Sequence, residues 1–544
     1  MPTLNWIGKD AVEHHHAEVP YRLVHCDGDL SAGDPDAGNL LVQGDNLEAL
    51  KALLPYYGGQ VKCIYIDPPY NTGNEGWVYN DNVASPEIKA WLGKVVGKEA
   101  DDLSRHDKWL CMMYPRLRLL REFLRTDGVI FVSMDDSEGG TARMLLDEIF
   151  GRRNHLATVI WQKVFSPKNS ARFFSDDHEY IFVYAKSLEK CELRLLERGS
   201  DQDARYKNPD NDPRGPWTSG DLSARNYYGE GTYPIQTPSG RVISGPPTGM
   251  YWRVSKAKFD ELDADSRLWW GERGDNVPRL KRFLSEVKQG VVPQTLWFHK
   301  DVGNTQEAKK ELLEAVSFAD SQSVFITPKP TRLVKRIVQI ASGPNDLILD
   351  SFAGSGTTGQ AILDLNRQDA GNRRFILVEM DKKIAPEITA ERLRRVICGY
   401  DKGGDAENPV EGLGGGFRYC RLGVPLFNEF GDIDSAVNFP DLAAHIFFAE
   451  TGVPIPSKAD GGSPYLGKHG EKVVYLLFAP GQEGTPRESM GNVLTPDALA
   501  NLPAPPDGFE GSRVVYAEGC TVAPDRLKSE GVVFKQIPYQ VEGV

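Results

Sequence analysis

The chain has 544 residues, too many for one ordinary core, and at roughly 100–200 residues per domain it should hold three or four domains or subdomains. Apolar residues make up 40% and charged residues 26%, the balance of a soluble globular protein, and no uninterrupted apolar run is long enough to span a bilayer. The net charge of −13 offers polyanions no general attraction, and the N-terminus lacks the charged-then-apolar pattern of an export signal.

Residues 1–37 read as an N-terminal extension, in which His14, His15 and His16 are expected to be solvated, because consecutive loop residues rarely converge on one metal. The pattern over 39–70 is a compact α/β unit. An apolar run at 39–42 ends in Gly44-Asp45-Asn46, helical spacing follows over 47–54, and a buried strand over 61–66 stops at Asp67-Pro68-Pro69-Tyr70. Two prolines cannot continue a central strand, so these four residues sit at its carboxyl end. Helices are predicted over 110–124 and 144–150, and strands over 129–134, 156–161 and 180–184. Residues 187–325 lose this periodicity and read as an inserted α+β domain. The α/β pattern then returns, with helices over 331–340, 359–365 and 384–396 and strands over 347–349 and 375–378. Residues 401–416 are a glycine-rich linker and 417–544 a separate small domain. Strands alternating with helices imply a doubly wound, mostly parallel sheet. Seven scattered cysteines with no CxxC pair predict reduced thiols, a cytoplasmic setting and no structural metal site.

The run Asp350-Ser351-Phe352-Ala353-Gly354-Ser355-Gly356-Thr357-Thr358 follows an apolar strand and opens a helix. Glycines there let a ligand approach the backbone, and the helix start offers free N–H groups. The Gly-Lys-Ser/Thr of a phosphate-binding loop is missing, which disfavours nucleoside triphosphate hydrolysis. The next strand ends in Glu379, placed to accept hydrogen bonds from ribose hydroxyls, so the unit suggests a nucleoside-bearing cofactor.

Asp67-Pro68-Pro69-Tyr70 suits a reaction at an exocyclic amine. The lone pair of such an amine is delocalised into the ring. A carboxylate (Asp67) and a carbonyl (Pro68) that accept its two N–H bonds pull the nitrogen toward tetrahedral geometry, which frees the lone pair to attack a methyl sulfonium. The prolines fix the turn, and Tyr70 can stack on a flipped base.

Together, Asp67-Pro68-Pro69-Tyr70 and Phe352-Ala353-Gly354-Ser355-Gly356-Thr357-Thr358 resemble the beta class of amino DNA methyltransferases, in which the catalytic motif precedes the cofactor motif and a target-recognition domain lies between. The segment ending in Asp45-Asn46 resembles the one whose Asp contacts the cofactor adenine, and residues 325–330, with Lys329, resemble the cofactor-flanking motif. The resemblance covers about residues 38–400 and implies a Rossmann-like sheet in permuted order. The methyltransferase domain is then divided into 38–186 and 326–400, around a target-recognition domain at 187–325. S-adenosylmethionine is the implied cofactor, double-stranded DNA the substrate, and adenine N6 the acceptor, because Ser commonly replaces the Asp in cytosine-N4 enzymes. Asn71-Thr72-Gly73, Trp269-Trp270 and Lys281-Arg282-Phe283 narrow the resemblance to modification subunits of type III restriction systems and their solitary relatives. That group implies a homodimer and a possible helicase-nuclease partner.

Charge is distributed so as to permit DNA binding. Residues 401–544 carry 20 Asp/Glu against 11 Lys/Arg, whereas 201–300 carry 15 Lys/Arg against 13 Asp/Glu. Phosphate contacts are local, so a basic groove can exist within an acidic chain. Arg225, Lys281 and Arg282 are the candidate DNA contacts, and most of the insert's aromatics are expected to be its core.

Overall fold

The computed structural model describes residues 4–72, 105–199, 203–287, 290–318, 327–428, 432–457, 459–480, 491–506 and 508–537. Gly73 and the first two residues of the 325–330 segment, named above, lie outside them.

Ten strands form the main sheet: β1 (Arg22–Gly33), β2 (Leu40–Gln43), β3 (Val61–Ile66), β4 (Leu124–Met134), β5 (His155–Gln162), β6 (His178–Ala185), β7 (Leu296–Trp297), β8 (Leu347–Asp350), β9 (Arg374–Glu379) and β10 (Gly416–Pro425). Their spatial order is β1-β10-β2-β9-β8-β3-β4-β6-β5-β7. From β10 to β4 every neighbouring pair is parallel. β6 runs against β4 and β5, and β1 runs against β10. All residues of β3 and β8 are buried, the pattern of central strands covered on both faces. The helix Thr331–Ala341 supplies part of that cover by burying Leu333, Val334, Ile337 and Val338. The doubly wound, mostly parallel sheet expected from the sequence is therefore the one observed.

Several boundaries differ. Residues 22–33, expected within an extension, form the edge strand β1, and 416–425, expected at the linker and start of a separate domain, form β10. These two strands are far apart in sequence and pair with each other, and β10 pairs on its other side with β2. Cys26 and Cys420 face each other across that pair and are disulfide-bonded, so the expectation of reduced thiols fails for them. The register alone brings these cysteines together, at a separation of 394 residues that hides them in the sequence. His16, in the short helix His15–Glu18, is buried rather than solvated. The helix expected from 144 starts at Gly139 and passes into wider turns over Asp147–Gly151.

The chain divides into two compact units, Leu195–Pro293 and the remainder, so the insert is narrower than 187–325. The insert is built mainly from short strands. Its largest sheet pairs Leu268–Trp269, Arg279–Phe283 and Trp217–Asp221, and Leu222, Ile235, Trp252, Phe259, Leu268 and Trp270 form its core. Residues 417–544 do not stand apart from the main unit. Leu442, Ala443, Ile446 and Phe447 of the helix Phe439–Thr451 share an apolar cluster with Tyr21 and Leu23, and a separate four-stranded sheet (Tyr465–His469, Lys472–Leu477, Ser512–Ala517, Val532–Gln536) packs beside it. No helix among the described residues is long and apolar enough to cross a membrane.

One side chain ties three strands together. Asn39, buried just before β2, donates from Nδ2 to the Gly416 carbonyl (2.8 Å) and accepts the Phe375 N–H at Oδ1 (2.8 Å). Replacing it leaves two buried backbone groups without partners. Asn39→Ala should therefore lower the unfolding free energy by roughly 2–4 kcal/mol. Urea denaturation checks this, and a loss within measurement error would contradict the role given to Asn39.

Candidate active site

β3 and β8 are parallel neighbours, with Leu349 opposite Ile64, so the residues following both strands leave the sheet at one edge. From this centre the chain winds outward in opposite directions, β3 to β4 and β8 to β9, and such a reversal opens a crevice beyond the strand ends. A cavity of about 370 Å³ lies there, within the range of small-molecule sites. Of the expected site residues, Asp67, Pro68, Tyr70, Lys329, Asp350, Phe352, Ala353, Gly354, Ser355, Thr357 and Thr358 line it. Asp45, Asn46, Pro69, Ser351, Gly356 and Glu379 are not among its lining residues, and each acts on the wall from behind or from the side.

Asp67 is held from two directions. Lys329 Nζ donates to its Oδ2 (2.5 Å) and the Tyr70 hydroxyl to its Oδ1 (2.7 Å). Burial pushes the Asp67 carboxyl above the usual range, Lys329 pulls it back, and the nearby Glu179 carboxylate adds to the rise. The Tyr70 hydroxyl also lies 3.0 Å from Glu179 Oε2, and burial raises its pKa well above the ordinary phenol value. The Lys329 ammonium sits 5.1 Å from the centre of the Tyr70 ring. Trp109 donates its indole N–H to the Pro69 carbonyl (2.8 Å) and so locks the proline turn, while among the described residues nothing takes the Pro68 carbonyl.

The glycine turn is fixed from behind. Gly354 and Gly356 have φ of 50° and 78°, the left-handed region, and a Cβ at Gly356 would come within 3.1 Å of Thr389 Cγ2. Glu379 accepts the Gly354 N–H (2.8 Å) and the Asp381 N–H (3.0 Å), so its carboxylate organises the turn as well as ending β9. Asp350 accepts the Phe352 N–H (3.0 Å) and the Thr358 hydroxyl (2.5 Å). Burial pushes both carboxyls up to about 7, against the pull of these donors. Asn46 Nδ2 donates to the Ser351 carbonyl (3.2 Å), and Arg116 bonds both Asn46 Oδ1 and Asp45 Oδ2. Asp45 also caps the helix Asn46–Tyr57 by accepting the Leu47 and Glu48 N–H groups.

Sequence reasoning gave several further residues no role in the site. Lys163, Asp135, Asp176 and Glu179 also line the cavity, with Lys163 between Asp176 (3.0 Å) and Glu179 (3.6 Å). Glu179 arrives because β6 is antiparallel to β4 and therefore starts where β4 ends. In the sequence it stands in His178-Glu179-Tyr180, which resembles a supporting strand motif of the family, with no site role attached. Arg392, fully buried, donates to Ser355 Oγ (3.1 Å) and Thr357 Oγ1 (2.9 Å), and burial lowers its pKa to about 10. In the insert, Arg225 and Arg282 are exposed, but Lys281 is 5% exposed and pairs with Asp210 and Asp212. Those carboxylates neutralise Lys281 and withdraw it from solvent, so it is not a phosphate contact.

The family model described as DNA methylase matches residues 61–391, more than half of the chain. The chain is 33% identical over 465 residues to the Mod subunit of the type III restriction-modification enzyme StyLTI of Salmonella typhimurium, a match spanning 79% of this chain and 68% of that protein. It is 32% identical over 421 residues to the EcoPI Mod subunit of Escherichia phage P1, spanning 70% and 64%. Matches to these relatives thus cover about two thirds of their length. Among solved structures, the M1.HpyAVI–SAM complex aligns with a TM-score of 0.29 at 14% identity, over 65% of this chain and 98% of that one. On the family model and the Mod-type relatives, the chain belongs to the DNA methylase family.

Proposed function

We propose that this protein transfers a methyl group from S-adenosylmethionine to N6 of an adenine turned out of double-stranded DNA. The observation that carries the reading is the meeting of Asp67-Pro68-Pro69-Tyr70 with the 350–358 turn in one cavity, at the carboxyl ends of two adjacent parallel strands. The modification role in restriction named for its relatives, a homodimeric state and docking of a restriction subunit belong to the same reading.

The residues present suit the cofactor. The buried Ser351 hydroxyl has no partner among the described residues, and the Phe352–Gly354 backbone lines the cavity just ahead of the helix Thr357–Asp369. Backbone N–H groups at that helix start, with Asp350, Ser351, Lys329 and the turn that Glu379 organises, would hold S-adenosylmethionine. Asp45 and Asn46 would support the same wall. When bound, the cofactor supplies an electrophilic methyl group on sulfur.

The protein's part is to prepare the amine. Each Asp67 oxygen has a second lone-pair site, so the carboxylate can accept an amine N–H while keeping Lys329 and Tyr70. The Pro68 carbonyl accepts the other N–H, and the Tyr70 ring packs on the base. The raised pKa of Asp67 also suits it to receive the proton that the amine must shed.

Asp67→Asn keeps the shape but removes the charge. Its kcat should fall on the order of 10²–10³-fold with cofactor affinity little changed. Single-turnover methylation and calorimetric titration with S-adenosylmethionine check this, and parallel loss of both properties would count against the assignment. The pH profile gives a second test. Asp67 must be ionised to accept the amine, so activity should rise with pH through a limb above the ordinary carboxylate range. Lys329 favours the ionised form, so Lys329→Met should move that limb to higher pH. A limb that stays in place would separate Lys329 from the titration of Asp67.

A further inference from the structure

The segment joining β5 to β6 leaves the sheet at the cavity edge, since Gln162 and His178 are paired neighbours and β6 starts where β4 ends. Lys163 and Lys168 from this segment line the cavity. Its base is closed by the Lys163 N–H on the Asp177 carbonyl (2.9 Å) and higher up by the Lys168 N–H on Ser175 Oγ (2.8 Å).

The tip breaks two habits of protein surfaces. Phe173 and Phe174 are 79% and 93% exposed, and Phe165 is 66% exposed. Leaving such rings in water forgoes about 1.5–3 kcal/mol each, and adjacent exposed phenylalanines mark an interaction site. The charge is also reversed locally. In a chain of net charge −13, residues 164–175 contain Lys168 and Arg172 and no acid. Both basic side chains are exposed, and the Arg172 guanidinium lies 5.0 Å from the Phe173 ring centre. The acids at the base are engaged, Asp176 with Lys163 (3.0 Å) and Asp177 with the Ser175 hydroxyl (2.5 Å).

We infer that the 164–175 loop is a DNA-docking element, in which Phe173 and Phe174 stack in the gap left by the extruded base while Lys168 and Arg172 hold flanking phosphates. The inference rests on the function proposed above. Aromatic faces stabilise unstacked bases without reading sequence, and cations beside them neutralise the backbone. A protein partner would suit the rings but would not call for an acid-free, doubly basic tip at the mouth of the Asp67 cavity.

The test uses the full-length protein, labelled fragments of unmethylated genomic DNA, and duplexes bearing the methylated site mapped from that DNA. Phe173→Ala with Phe174→Ala should weaken duplex binding on the order of 10–100-fold. It should lower kcat/KM on a fully paired site far more than on one whose target adenine faces a mismatch, where extrusion is already cheap. Lys168→Ala with Arg172→Ala should reduce the slope of log affinity against log salt by about 2. Unchanged binding and salt slope would overturn the inference, as would equal losses on paired and mismatched sites. A protein that binds duplex through these residues without methylating it would sink the methyl-transfer reading while supporting this one.

Discussion

A carboxylate placed at the end of a strand whose residues are all buried must be stabilised where it stands, and much of this molecule is arranged around that requirement. Asp67 has lost most of its water, and Lys329, 262 residues away, returns a charge and a hydrogen bond at 2.5 Å. That pairing is possible only if the chain returns to lay β8 beside β3. Lys329 directly precedes the helix that leads into β8, so the same return that supplies the cation also delivers the glycine turn. Tyr70 completes the arrangement from within the proline turn, whose own position is pinned by Trp109.

The second half of the site is held from outside its walls. Glu379, Asp350, Thr389 and Arg392 all bond the turn or the first residues of the following helix. Two of these are carboxyls raised to about 7, which marks them as costly to bury and hence sensitive to whatever sits against them. A turn supported this way presents a fixed surface rather than one assembled around a ligand, and its groups need little reorganisation when charge moves nearby.

Legibility in the sequence followed the range of the interactions. The catalytic and cofactor turns are local: an apolar strand, a sharp stop, a helix start, all within a dozen or so residues. The alternation of strands and helices around them predicted the sheet, and each turn was expected at the carboxyl end of its strand. What escaped was set by strand pairing. Glu179 and Lys163 enter the cavity only because β6 reverses direction, and the edge strand β1 forms by pairing with β10, 394 residues away at the Cys26–Cys420 pair. Lys281 looked like a surface cation because its partners, Asp210 and Asp212, precede it by about 70 residues. The wide turns at Ala385–Ala390 likewise conceal how Arg392 comes to face Ser355 and Thr357.

The central claim is that one cavity brings a prepared amine and a methyl donor together. Its most direct test is incubation of the protein with unmethylated DNA and S-adenosylmethionine carrying a labelled methyl group, followed by hydrolysis of the DNA to nucleosides. The account predicts that the label appears as N6-methyladenine. Label in N4-methylcytosine would contradict the choice of base, and unlabelled DNA from a protein shown to bind both partners would contradict methyl transfer itself.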